Sequence, residues 1–369
     1  MFTIPNLKNI IGLLEPYDPG LFPADVTGRY GITKEKIVNL SSNENPYPLP
    51  KSIIRRTAKE LLSVHRYPDP SYKELKQSIS EYVGLPADCI AVGNGSSDLI
   101  DLTCKILLSP LDKVVMPIPT YTLYILASMI WETSISYVTT EEYDFKVRAD
   151  KLKPFTEAAR LIFLGSPNNP TGIRLSDRDL AEILDATDAV ILLDEAYCEF
   201  SGKTATGLLQ DHDNLIIVRS MSKFFGLAGL RVGYALSNPR IVESLEKARL
   251  PFTVNSLAQS AAIGALRNLD YFKRIGRLIV SERIRLSEEL QRRGLRPLPS
   301  EANFIMVGLP EGVDADRFTE DLASRGVIVR SLKGLVGITG DFFRVTVGTR
   351  EENEVFIEAC QSTLRSASS

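Results

Sequence analysis

Three uninterrupted apolar runs constrain the fold of this chain most: Leu161-Ile162-Phe163-Leu164, Ala189-Val190-Ile191-Leu192-Leu193 and Leu215-Ile216-Ile217-Val218. A strand with one wet face alternates apolar and polar residues. These runs do not alternate, so both faces of each strand must be covered. With helical stretches between them, they predict an α/β chain built on a mostly parallel sheet sandwiched by helices. Ligands of such sheets bind beyond the carboxyl ends of the strands. Each run breaks there into polar chemistry. The first leads into Asn168-Asn169-Pro170-Thr171-Gly172, the second into Asp194 with Tyr197 three residues on, the third into Ser220-Met221-Ser222-Lys223 with Arg231 eight residues after the lysine. All three sets are therefore expected to converge on one crevice.

A lysine at the end of a buried strand can be desolvated enough to react as a free amine. Ser220, Ser222 and Arg231 nearby make a cradle for a dianionic phosphate. An amine beside a phosphate cradle suits a lysine that holds pyridoxal 5'-phosphate (PLP) as a Schiff base. Alone, Ser-x-Ser-Lys would read as a surface lysine; its neighbours overturn that reading. The order Asn-Pro-Thr-Gly, Asp-x-x-Tyr, Ser-x-Ser-Lys and Gly229-Leu230-Arg231-Val232-Gly233 resembles the fold-type I, aspartate-aminotransferase-like PLP enzymes over nearly the whole chain. The resemblance implies that Lys223 is the catalytic lysine and proton carrier. It implies that Asp194 keeps the pyridinium nitrogen protonated, that Asn169 and Tyr197 bond the cofactor's 3'-oxygen, and that Arg231, Ser220 and Ser222 hold its phosphate.

Upstream, Val92-Gly93-Asn94-Gly95-Ser96-Ser97-Asp98 reads as strand, tight turn and helix start. Gly-x-Gly lets backbone amides approach an anion, and a helix N-terminus adds a favourable dipole. A nicotinamide-binding reading fails because Asp98 replaces the third glycine and the turn lies well inside the chain. By the resemblance, Gly95, Ser96 and Ser97 form a second phosphate grip, and Tyr121 stacks on the pyridine face.

A narrower set of motifs comprises Glu15-Pro16-Tyr17-Asp18-Pro19-Gly20, Asn43-Glu44-Asn45-Pro46, Arg66-Tyr67-Pro68, Val329-Arg330 and Phe343-Arg344-Val345. It resembles the histidinol-phosphate aminotransferase family. That likeness implies transfer of an amino group from histidinol phosphate to 2-oxoglutarate, giving imidazole-acetol phosphate and glutamate, a step of histidine biosynthesis. It further implies that Tyr17, Asn43, Arg330 and Arg344 bind substrate, Arg344 taking the α-carboxylate and Arg330 the phosphate or side-chain carboxylate. Tyr67 would reach the partner subunit's cofactor phosphate, which requires a homodimer. Two departures stand out: Ser97 where an acidic residue is frequent, and Phe252 where some members carry tyrosine. Three rivals share part of this pattern. They are a threonine-phosphate decarboxylase, an aromatic or broad-specificity aminotransferase, and a PLP-fold transcription regulator. The last needs an N-terminal DNA-binding extension, and here the family frame begins near Tyr17.

The composition agrees with a globular enzyme: 369 residues, 44% hydrophobic and 24% charged, with a formal net charge of -3. That charge gives no broad footprint for nucleic acid or an anionic membrane. Four cysteines without Cys-x-x-Cys spacing and two distant histidines give a metal site or disulfide frame little to build on. No targeting or membrane-spanning segment is legible, so a cytoplasmic protein acting on small molecules is expected. The Arg274–Arg293 stretch reads as a long amphipathic helix. Strands are expected at 302–307, 327–329 and 342–347, with a helix at 314–325. The expected domains are an N-terminal arm (1–35), a large PLP domain (36–270) and a smaller α+β C-terminal domain (271–369), the arm packing with the last.

Overall fold

The computed structural model describes residues 7–16, 18–141 and 144–367. Its strands, in chain order, are β1 (Val38–Asn39), β2 (Ile90–Gly93), β3 (Lys113–Ile118), β4 (Ser134–Thr139), β5 (Ala159–Gly165), β6 (Val190–Asp194) and β7 (Leu215–Ser220). They continue as β8 (Gly233–Leu236), β9 (Arg296–Pro297), β10 (Phe304–Gly308), β11 (Val327–Ile328), β12 (Arg330–Ser331) and β13 (Phe342–Thr346). Seven of them form the main sheet, in the order β2-β8-β7-β6-β5-β3-β4. The apolar runs are its centre. Successive residues of β5, β6 and β7 alternate between two cores. Ile162, Leu164, Ile191, Leu193 and Ile217 face one, and Leu161, Phe163, Leu192, Ile216 and Val218 face the other. All ten are essentially inaccessible to water. Burying each side chain stabilises the fold by roughly 1.5–3 kcal/mol before chain entropy is counted.

Pairing is parallel except around β8, which runs antiparallel to both β7 and β2. The reversal matters for the site. The start of β8, just after Arg231, lies at the same edge as the ends of β2 and β7, with Gly233 opposite both Gly93 and Ser220. A side chain at Gly233 has no room, since a Cβ there would fall 2.4 Å from the Ser96 amide nitrogen.

A four-stranded antiparallel sheet, β12-β13-β10-β9, forms the core of the C-terminal region. Against it packs the helix Leu269–Arg292, which begins earlier than the amphipathic pattern suggests. The stretch expected as one strand at 327–329 is split. β11 pairs with β1, whereas β12 pairs with β13, so the chain changes sheets at Val329. Two residues per sheet leave no periodicity to read. From the N-terminal segment, Leu21, Val26, Tyr30 and Ile32 pack with Ala323 and Ile328. The Asn9–Leu13 turn instead lies against the helix Thr122–Ile130, with the Lys8 ammonium on the Ile130 carbonyl. Among the described residues, no helix is long and apolar enough to cross a membrane.

Candidate active site

A cavity of about 400 Å³ opens between the carboxyl edge of the main sheet and β12–β13. Lys223 lies in it, three residues past β7, with its ammonium on the Ser42 carbonyl at 2.9 Å. Burial, reinforced by the positive charges of Arg344 and Arg231, lowers its pKa to about 8. An amine near neutrality is what covalent and proton-transfer chemistry at a lysine requires.

Asp194 ends β6 and is buried. Its Oδ2 accepts from the Tyr124 hydroxyl at 2.7 Å and its Oδ1 from the Ala196 amide at 2.9 Å. Desolvation raises its pKa, opposed by those two donors. A carboxylate held in this way gains from a cationic N–H facing it. Behind it, Arg219 donates through Nε (3.0 Å) and Nη2 (2.9 Å) to one oxygen of Glu195. This buried pair ties the ends of β6 and β7 together. Removing one partner would leave an uncompensated charge inside the protein.

The phosphate cradle is built from three elements. The helix Ser96–Leu107 presents its N-terminus, preceded by Gly95 at φ 84° and ψ 167°. A Cβ on Gly95 would meet Arg231 Nη2 at 2.5 Å. Arg231, itself left-handed at φ 55°, reaches Ser222 Oγ at 3.2 Å. Ser220 Oγ accepts from the Ser222 amide. Hydroxyls, free helix-terminal amides and a guanidinium therefore meet around a space that a single methyl group would invade. That donor set suits a dianionic phosphate. With Lys223 and Asp194 in the same cavity, the residues fit PLP.

Tyr197 is buried, and its hydroxyl accepts from Asn43 Nδ2 at 3.0 Å, which leaves its own proton to donate. Burial pushes its pKa up, so it stays a phenol. Asn169 Oδ1 accepts from Arg344 Nη1 at 2.6 Å, and Ser41 O accepts from Nη2 at 2.6 Å. Arg330 stands directly opposite Arg344 in the β12–β13 pair. Two like charges placed opposite one another disfavour the fold unless an anion joins them.

Thus Asn43, Ser96, Ser97, Tyr121, Asn169, Asp194, Tyr197, Ser220, Ser222, Lys223, Arg231, Arg330 and Arg344 line one cavity, and Gly95 backs its cradle. Tyr67 is not among them. It is 81% exposed and stacks on Phe252 at 4.4 Å, outside this cavity. Tyr17 lies outside the described residues. Tyr124, Ser41, Ser42 and Glu44 also border the site, and sequence reasoning missed them. For Tyr124 a signal existed, since it follows Tyr121 by one helical turn. No group of His, Cys, Asp and Glu among the described residues is placed to hold a metal ion.

Comparison with known proteins agrees with this geometry. The model of the family "Aminotransferase class I and II" matches residues 35–360. "Histidinol-phosphate aminotransferase 2" of Archaeoglobus fulgidus is 43% identical over 355 residues, covering 96% of this chain and 99% of the relative. The histidinol-phosphate aminotransferase of Methanococcus aeolicus is 35% identical, covering 96% and 98%. Among solved structures, the histidinol-phosphate aminotransferase of Sinorhizobium meliloti in complex with pyridoxal-5'-phosphate superposes with a TM-score of 0.87. It is 25% identical, and 99% of each chain is covered. The fold is that of the fold-type I PLP enzymes, and the chain belongs to the class I and II aminotransferases, on their histidinol-phosphate aminotransferase branch.

Proposed function

We propose that this PLP-dependent aminotransferase takes the amino group of L-histidinol phosphate and passes it to 2-oxoglutarate. The observation that carries this reading is the Arg330–Arg344 pair, side by side in the cavity that holds Lys223. The two substrates share no common anion pattern: histidinol phosphate has a phosphate and no carboxylate, whereas glutamate has two carboxylates. A planar guanidinium pairs bidentately with either anion, so two arginines serve both substrates in turn.

When bound, PLP supplies an electron-poor ring that takes up the electron pair left at the substrate carbon as its proton departs. Arg231, Ser220, Ser222 and the amides at Ser96 and Ser97 would hold the phosphate. Asp194, held in place by Tyr124 and Ala196, would keep a proton on the ring nitrogen. Asn169 and Tyr197 would donate to the ring oxygen, and Tyr121 would cover the ring. Lys223, whose pKa burial lowers, would accept the proton from the substrate carbon and return it on the cofactor side. Asn43, which lines the cavity, and by the family likeness Tyr17 would take part in substrate binding.

A second copy of the chain is part of this reading. Leu61, Leu62, Val64, Tyr67 and Leu250 are exposed apolar side chains on neighbouring segments, which a homodimer would cover. Tyr67 would then serve the partner's cofactor phosphate. The arm at 1–35, large domain at 36–270 and small domain at 271–369 remain the division we favour, and four free cysteines suit the reducing cytoplasm.

The test is a half-reaction. PLP-loaded protein mixed with L-histidinol phosphate, without an oxo acid, should lose the cofactor's visible absorbance within seconds and regain it on adding 2-oxoglutarate. No loss of the band would exclude histidinol phosphate as the donor. Release of carbon dioxide from threonine phosphate would identify the decarboxylase instead.

A further inference from the structure

Arg330 meets an anion that belongs to the protein. Its Nη2 donates to the Asp18 carbonyl at 2.9 Å and stands 3.1 Å from Asp18 Oδ2. The N-terminal segment passes directly over this guanidinium. Gly20, at φ 77°, lies so close that a Cβ would sit 2.5 Å from Arg330 Nη1. Pro19 and Phe22 of the same segment line the active-site cavity. Arg344 opposite donates to two neutral acceptors, the Asn169 amide oxygen and the Ser41 carbonyl. Arg330 also borders a second hollow of about 230 Å³, which shares Tyr121, Asn169 and Arg344 with the main cavity.

We infer that the Asp18 carboxylate competes with the substrate's anionic group for Arg330, and so sets how tightly that arginine takes phosphate or carboxylate. The inference rests on the reading of Arg330 as an anion receiver. A carboxylate and a substrate anion both seek the same guanidinium fork, and an incoming ligand must exchange with the one already there. The exchange is cheap for Asp18. Its side chain is 77% exposed, so its charge returns to water when Arg330 leaves. Its Oδ1 also accepts from the Gly20 amide at 2.8 Å, which keeps the turn shaped without the arginine. The same contact ties the segment carrying Pro19 and Phe22 to Arg330 at the cavity. Discrimination between ligands follows from the exchange, because only a ligand that pairs better than this carboxylate gains from displacing it.

The experiment is a double-mutant cycle on PLP-loaded protein, in which the Arg231 cradle is already filled. Inorganic phosphate and glutarate, two probes that cannot react, are titrated calorimetrically into wild type, Asp18→Asn, Arg330→Gln and the double variant. Asp18→Asn should bind at least one probe about two- to fivefold tighter, the range expected for loss of an exposed ion pair. In the Arg330→Gln background the Asp18 substitution should change nothing. Tightening for phosphate alone, for glutarate alone or for both identifies which anion Arg330 receives. If Arg330→Gln weakens binding but Asp18→Asn leaves it equal or weaker, the competition is overturned and the role of Arg330 stands. If Arg330→Gln leaves both affinities unchanged, the reading of Arg330 fails and this inference falls with it.

Discussion

At the scale of single residues, Lys223 carries a cost that the cofactor removes. Its pKa of about 8 lies below the ordinary lysine value of 10.5, so the unfolded chain binds the proton more readily. The penalty on the cofactor-free fold is therefore complete below pH 8 and fades as pH rises through 10.5. Lys223→Met should stabilise the cofactor-free protein at pH 7 by up to about 3 kcal/mol, less whatever water in the cavity gives back to the charge. The gain should shrink toward pH 10. Urea unfolding of both proteins at the two pH values decides it, and a Met variant no more stable at pH 7 overturns the argument. The same lysine is expected to be indispensable, so Lys223→Ala should abolish turnover together with the visible cofactor band. Lys223, Asp194 and Asn169 were legible because the chemistry demands those residue types just past buried strands. Their supports were not. The acceptor for Lys223 is the backbone carbonyl of Ser42, 181 residues away, and any residue type has one. Asn43 reaches Tyr197 across 154 residues by a left-handed turn that no local pattern announces.

At the scale of elements, the cradle depends on how closely a helix, a strand and a loop approach one another. Gly95 combines a positive φ with ψ near 167°, a region almost closed to other residues, at a cost of about 1–3 kcal/mol for any side chain. Its missing Cβ also makes room for Arg231. Gly95→Ala should thus weaken PLP binding by at least about tenfold while leaving the apolar core untouched. An unchanged PLP dissociation constant, followed by absorbance against free cofactor, would show that Arg231 can move aside freely. The strands behind the cradle were legible to within a residue or two, since runs buried on both faces cannot hide in a sequence. The direction of β8 was not, because Gly233-Tyr234-Ala235-Leu236 is too short to show its orientation. Yet that reversal brings Arg231 to the edge where β2 and β7 end. The split at Val329 escaped for the same reason, although it sets Arg330 opposite Arg344.

At the scale of the whole molecule, the cavity gathers most of the groups that the proposed chemistry asks of one protomer, yet Tyr67 points elsewhere. It sits beside Leu61, Leu62 and Val64, which are all more than half exposed, and its ring rests on Phe252. A lone exposed leucine needs no explanation, but several on adjoining segments favour burial against another surface. If that surface is a second copy, assembly and cofactor retention are linked through Tyr67, and two substitutions separate them. Leu62→Glu places a charge in the covered face and should shift the protein from dimer to monomer in sedimentation at micromolar concentration. The monomer should also hold PLP less tightly, because each site loses its partner's tyrosine. Tyr67→Phe keeps the apolar ring and should leave the dimer intact. It removes one hydroxyl from the neighbour's phosphate, which costs about 1.5–3 kcal/mol for a hydrogen bond to a charged group, or roughly ten- to a hundredfold in PLP affinity. A Leu62→Glu protein that stays dimeric moves the interface to another face. A Tyr67→Phe protein with unaltered PLP affinity leaves the dimer possible but strips it of its part in the site.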